Sequence, residues 1–345
     1  MTAGDLNDMQ RYLIEEDAEK WQQGRITRRE LLRRVTLMVG GAAAANSVLL
    51  SLGCGPAGQE ASPSTPSTAA SVPGQTAAAT AGTSGTANPT ATQASGQQDT
   101  TSPDHVAEND PAVRAQMVEI PSSDSGVKLQ GYLAAPSAPS MGMARPAGVL
   151  VIHENRGLTD YIKDVVRRLA KANFTALCVD LVSRKGGSAA HADEAERTAI
   201  LGKMAPEQII SDLSAGLEYL KGPAEASPER LGAIGFCFGG GYTWRLATKR
   251  QDLKAGVAFY GPNPPLEDVP NIKAAMLGIY GESDTRITSK VPELEQALQS
   301  AKVTSSMHVY GGANHAFHND TGANYEPTAA QQAWAEALDW LRSHL

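Results

Sequence analysis

From residue 147 onward, short unbroken apolar runs alternate with amphipathic stretches, and this alternation constrains the fold more than any other feature of the chain. The runs "AGVLVIHE" (147–154), "TALCVD" (175–180), "LGAIGF" (231–236), "KAGVAFYG" (254–261), "AAMLGIYG" (274–281) and "SSMHVYGG" (305–312) have the length and content of strands. Their continuous apolarity is that of strands buried on both faces. Between them, "TDYIKDVVRRLAKANF" places Ile162, Val165, Val166 and Leu169 on one helical face, and "PEQIISDLSAGLEYLK" (206–221) opens with Pro206, a favoured first helical residue. Further helices are expected near 238–249, 290–301 and 327–343, with an earlier strand at "VKLQGYLAAP" (127–136). Strand–helix alternation of this kind predicts an α/β domain: a mostly parallel central sheet with helices on both faces.

The remainder of the 345 residues divides in two before that domain. Residues 55–110 are almost wholly Ala, Ser, Thr, Gly and Pro, and such a segment buries too little apolar surface to offset its ordering entropy, so a disordered linker is expected. Residues 1–54 carry Arg28 and Arg29 ahead of a mildly apolar stretch from Val35 to Leu52 that ends at Gly53-Cys54. Positive residues before a short apolar run mark an export signal, and this one resembles the twin-arginine signals read by the export machinery for folded proteins. The alternative is a single membrane-spanning anchor, which the length of the stretch permits. Cys54 resembles the lipid-bearing cysteine of bacterial lipoproteins, which implies membrane attachment there. The expectation is an address at 1–54, a linker at 55–110 and an exported domain at 111–345, periplasmic, cell-surface or extracellular. A net charge of −7 provides no basic stripe for nucleic acid.

In doubly covered sheets, sites form where strands end at their carboxyl edge. The residues following the expected strands are "HENRGL", Cys237, "GESD" and "GGANHAFHND". Cys237, Asp284 and His315 therefore follow one another in the order nucleophile, acid, histidine of the α/β-hydrolase arrangement. Gly235, Gly239 and Gly240 supply room for a sharp strand-to-helix turn around Cys237. A sulfur at a helix amino end is favoured as thiolate by the unpaired N–H groups there. His315 would take the proton, with Asp284 orienting it. The backbone N–H of Phe238 would donate to an oxyanion, joined by that of Asn155. Taken alone, Cys237 is equally a packing residue, as Cys178 inside "TALCVD" is expected to be.

Together, "GFCFGG", "HENRGL", "YGESD" and "GGANHAF" resemble the dienelactone hydrolases, cysteine members of the α/β-hydrolase fold, over roughly residues 115–345. The resemblance implies Cys237 as nucleophile, His315 as base and Asp284 as acid. It implies that Glu154 touches the nucleophile's sulfur at rest and moves when substrate binds. In that family, arginines clamp a substrate carboxylate, one of them four residues after the histidine. Asn319 stands there in this chain, which leaves Arg156 and Arg184 as the remaining substrate-binding candidates and the loop at 183–194 as an expected part of the pocket rim. The implied activity is hydrolysis of a small ester or lactone, without cofactor.

Other classes fit less well. "HENRG" begins like a zinc-hydrolase motif but has Gly157 where the second histidine belongs, and the His315–His318 pair is too sparse for a ligand set, so no metal is expected. The competing non-enzymatic reading is a tethered surface domain that binds without cutting.

Overall fold

The computed structural model describes residues 3–54, 102–124, 126–138, 145–222 and 226–345. Three helices come first: α1 (Asp8–Gln22), α2 (Arg28–Val39) and α3 (Ala42–Ser51). Strands β1 (Val113–Pro121), β2 (Lys128–Pro136) and β3 (Ala147–Ile152) follow, then α4 (Asp160–Lys171), β4 (Thr175–Val179), α5 (Glu194–Lys203) and α6 (Pro206–Lys221). The chain continues through β5 (Ser227–Phe236), α7 (Phe238–Lys249), β6 (Ala255–Phe259), β7 (Ala275–Gly281), the single turn α8 (Thr285–Thr288), α9 (Val291–Ser300), β8 (Ser305–Tyr310) and α10 (Pro327–His344).

All eight strands join one sheet in the order β1-β2-β4-β3-β5-β6-β7-β8, antiparallel at β1–β2 and β2–β4 and parallel from β4 to β8. Helices cover both faces, as the alternation predicts. The uniformly apolar strands lie innermost: Ile234 of β5 pairs with Val151 of β3 on one side and Val257 of β6 on the other, and all three are buried. Burial of each such side chain contributes about 1.5–3 kcal/mol. Strand order reverses between β3 and β5, so the carboxyl end of β5 opens onto the crevice where sites form in such sheets.

Two segments depart from the expected organisation. Residues 102–110, expected in the linker, are held to α4: Asp164 accepts from the backbone N–H of Val106 at 2.8 Å and Arg167 donates to the Val106 carbonyl at 2.7 Å. The rest of the expected linker, 55–101, lies outside the described residues. Residues 3–54, expected to be address rather than fold, form the three N-terminal helices and belong to the same compact unit as the sheet. Their apolar faces explain this, since Leu13, Ile14, Leu31, Val35, Ala45 and Val48 are all buried. Polar pins add to it. Asp8 pairs with Arg245 of α7 at 3.1 Å, Glu19 with Arg286 of α8 at 3.2 Å, and Arg33 with Asp193, the cap of α5, at 2.6 Å. The apolar stretch at 35–52 is broken at Gly40, whose φ of +83° ends α2, so α2 and α3 meet at 108°. Among the described residues no single helix is long and apolar enough to cross a membrane.

Candidate active site

Cys237 sits between β5 and α7 with φ +57° and ψ −118°, a conformation that non-glycine residues rarely adopt. The turn is held by its N–H donating to the Phe259 carbonyl of the neighbouring strand β6 at 3.0 Å. Its glycines are sterically required. A Cβ on Gly235 would strike the Gly239 carbonyl, and one on Gly239 would strike the Ile152 carbonyl at the end of β3. The strained backbone thus lifts the sulfur off the sheet edge onto the amino end of α7. There the N–H of Phe238, the first helical residue, has no partner within the helix.

Asp284 and His315 come to the same edge from the ends of β7 and β8. Asp284 is 1% exposed, and its Oδ2 lies 2.5 Å from Nδ1 of His315. The histidine's own backbone is fixed by the Asn314 side chain, which accepts from its N–H at 2.7 Å, and by Asn324, which donates to its carbonyl at 2.7 Å. Nε2 of His315 is buried and has no hydrogen-bond partner. A ring nitrogen of His315 lies within 4.8 Å of the Cys237 sulfur. Burial favours the neutral ring, but the charges of Cys237 and Asp284 outweigh it and raise the imidazole pKa to about 10. The two competing histidines are engaged elsewhere. His318 is 2.7 Å from the Tyr161 hydroxyl under the ring of Trp334, and His308 pairs with Glu336 at 2.7 Å.

Of the other expected site residues, Asn155, Arg156, Glu154 and Asn319 all line the cavity beside Cys237. Arg184 does not. It is bound to Asp212 of α6 at 2.7 Å and to Asp124 at 2.8 Å, and the 183–194 loop supplies no wall of the cavity. Glu154 is also not the carboxylate at the sulfur. Its Oε2 accepts from Asn319 Nδ2 at 3.0 Å, so the residue in the expected arginine position holds the glutamate. Burial is the chief cause that raises the Glu154 pKa, so it keeps a proton more readily than an exposed glutamate.

The groups that do touch the sulfur come from α1. The Tyr12 hydroxyl lies 3.2 Å from Sγ, and the Cys237 thiol donates to Oε2 of Glu16 at 3.5 Å. Asn155 Nδ2 donates to the same Glu16 oxygen at 3.2 Å. Burial works against ionised Glu16, yet Lys20 at 2.6 Å, His315 and Arg286 outweigh it and hold the carboxyl well below the usual range. Burial first, then the charges of Cys237 and Glu16, push the Tyr12 phenol well above its ordinary value, so it stays protonated under the Arg286 guanidinium, 4.6 Å from its ring centroid. With α1 in place the cavity measures about 60 Å³. Ordinary ligand pockets measure roughly 300–1,000 Å³. Sequence pattern offered one faint signal for this: Tyr12 and Glu16 stand four residues apart, hence on one helical face, next to the apolar pair Leu13-Ile14.

With this geometry in place, the likeness to other proteins is specific. The profile of the dienelactone hydrolase family matches residues 129–345. A protein of Methylorubrum extorquens named "Putative carboxymethylenebutenolidase" is 35% identical over 239 residues, 66% of this chain and 80% of that one. A Bradyrhizobium protein named "Probable 2-oxo-3-(5-oxofuran-2-ylidene)propanoate lactonase" is 34% identical over 64% of this chain and 93% of its own. The crystal structure titled "Putative Dienelactone Hydrolase" from Klebsiella pneumoniae superposes with a TM-score of 0.61 at 30% identity, covering 67% of this chain and 99% of that one. These matches take in the elbow, the acid, the histidine and the sheet that carries them, and the chain belongs to the dienelactone hydrolase family.

Proposed function

We propose that the protein hydrolyses a small ester or lactone through a Cys237–His315–Asp284 triad and a thioester intermediate. One observation carries this reading: His315 is held at Nδ1 by Asp284, while its unpartnered Nε2 shares a buried site with a sulfur on a strained elbow. The Cys237 thiolate attacks the carbonyl carbon, and the N–H groups of Phe238 and Asn155 take the oxyanion. Collapse expels the alkoxide or enolate, which takes its proton from His315. Water then adds to the thioester with His315 as base, and the acid leaves. Buried Asp284 keeps the imidazole oriented and offsets its charge throughout.

The relatives' names point to lactones that bear a carboxylate. Arg156 at the cavity wall is the cation placed to meet one, and its pairing with Glu194 at 3.6 Å is loose enough to exchange. Asn319 gives no second charge, so a singly anionic or neutral substrate fits best. Substrate entry requires α1 to withdraw, because Tyr12 and Glu16 stand directly against the sulfur that must reach the carbonyl. We extend the proposal to location: Arg28 and Arg29 lie on a signal-like segment that takes the protein out of the cytoplasm. Cys54 is buried here, so lipid attachment to it requires that this segment first unpack.

The test is turnover of a chromogenic acetate ester and of a dienelactone by the wild type and Cys237→Ala, each with and without iodoacetamide. The variant is expected to lose at least ~10⁴-fold in kcat, and alkylation to abolish wild-type turnover. Wild-type rates in the variant would overturn the triad. No turnover by any form, with Cys237 unreactive, would favour the tethered binding domain instead.

A further inference from the structure

Where α1 meets the elbow, three donor atoms of different kinds converge. Cys237 Sγ, a ring nitrogen of His315 and a carboxylate oxygen of Glu16 all lie within 4.8 Å of one another, the only such trio among the described residues. The motifs that looked metal-like in the sequence play no part beyond His315. His153 lies 2.6 Å from the Glu154 carbonyl and accepts from the Leu181 N–H, while His318 is held by Tyr161.

The sulfur–carboxylate edge of this trio has the length a tetrahedral ion needs. Sulfur and Glu16 Oε2 are 3.5 Å apart. A zinc ion with Zn–S of about 2.3 Å and Zn–O of about 2.0–2.2 Å at tetrahedral angles separates those two atoms by about 3.5–3.7 Å. The nitrogen is also prepared. With Asp284 accepting at Nδ1, Nε2 is the nitrogen left for a metal, buried and without a hydrogen-bond partner. A carboxylate behind the imidazole is the arrangement that orients metal-bound histidines and makes them more basic. Lys20 occupies Oε1 of Glu16 at 2.6 Å, while Oε2 accepts from Asn155 at 3.2 Å and from the Cys237 thiol, so a metal there replaces the thiol proton and shares the oxygen with Asn155. Thiolate, imidazole and carboxylate together select zinc-like ions over calcium or magnesium. The adjoining cavity has room for a water as the fourth ligand. Lys20 and Arg286 oppose the added charge, and Glu16, Glu154 and Asp284 favour it.

We propose that Cys237, His315 and Glu16 form a binding site for a thiophilic divalent cation of the zinc class, which ties α1 to the nucleophile and holds the site shut. On binding, the Cys237 thiol and the charged His315 ring each release a proton to solvent, from Sγ and Nε2, and sulfur bonds to the metal. The His315 lone pair and the Glu16 carboxylate complete the protein ligands, with no change of oxidation state. The consequence for turnover rests on the triad reading; the binding itself does not. A metal-bound sulfur cannot attack a carbonyl, and a metal-bound Nε2 cannot carry a proton, so the bound form is inactive and a chelator restores it.

The experiment uses the full chain, stripped with a chelator and titrated with Co²⁺ and then Zn²⁺. One equivalent of cobalt should produce a sulfur-to-cobalt charge-transfer band in the near ultraviolet, lost on adding zinc. Zinc should also slow alkylation of Cys237. Glu16→Gln should weaken zinc binding at least ~10-fold, whereas Glu19→Gln, the same charge change one turn along α1, should leave it unaltered. Absence of the band, its persistence in Cys237→Ser, or equal zinc affinity in Glu16→Gln and wild type would each overturn the site. Ester hydrolysis by Cys237→Ala would overturn the triad alone, because the cobalt band reports ligation without reference to turnover.

Discussion

Asp284 holds His315 at 2.5 Å from a position 1% exposed, so the pair acts as one unit facing the sulfur. Replacing Asp284 with Asn frees the wrong tautomer and should lower kcat by ~10³–10⁴-fold. The same substitution bears on stability. The folded pKa of His315, about 10, lies above the ~6.5 of a free imidazole. Its contribution is therefore fully present below about pH 6.5 and is lost as pH rises through 10. Between pH 7 and 10 the urea midpoint of the wild type should fall more than that of Asp284→Asn, in which less of the raised pKa survives. Equal slopes would show that Asp284 is not what keeps the imidazole charged. Cys237, Asp284 and His315 were all legible in the sequence, because each follows a strand whose apolar run marks its end. Glu154 was legible as a site residue but not in its role. Its bond to Asn319 crosses 165 positions, and no local pattern encodes a contact at that distance.

At the scale of elements, α1 decides whether the Cys237 sulfur is reachable. Leu13 and Ile14 are fully buried beneath it, while its polar pins to Arg245 and Arg286 are partly solvated and individually worth no more than ~1 kcal/mol. Apolar packing therefore dominates its docking. Leu13→Ala should weaken that docking by ~2–4 kcal/mol, seen as faster alkylation of Cys237 by iodoacetamide and a higher kcat/KM on esters. Unchanged alkylation would mean that α1 withdraws freely in the wild type as well. The strands and helices from 147 on were legible because their periodicity is local. The strand β1 escaped because its half-exposed run lacks the continuous apolarity of the inner strands. The helix α5 begins where the expected 183–194 loop ends, and its ten residues carry no strong apolar stripe to mark them as a helix.

For the whole molecule, the twin arginines and the occluding helix belong to one N-terminal segment. Arg29 is exposed and Arg28 half-exposed on α2, open to recognition. If the export reading holds, Arg28→Lys together with Arg29→Lys should leave the protein in the cytoplasm, as judged by fractionation. A form cleaved before Cys54 would also lose Tyr12 and Glu16, and its Cys237 should alkylate faster than in the uncut chain. Export of the double variant at the wild-type level, or equal alkylation of the two forms, would separate address from occlusion.

The sequence by itself determined the α/β class and the glycine-lined turn at Cys237, and set Cys237, Asp284 and His315 after the ends of strands. These rest on short-range facts: side-chain periodicity, the room that glycines leave, and the rule that strand ends gather at one edge. Only the tertiary structure decided what stands against the sulfur. It placed Glu16 there rather than Glu154, assigned Arg184 to Asp212, and packed residues 3–54 onto the domain. The physical reason is that α1 is weakly marked as a sequence, yet it has a buried face. Which surface completes that face is set by the sheet edge, α5, α7 and α8, more than a hundred residues away along the chain.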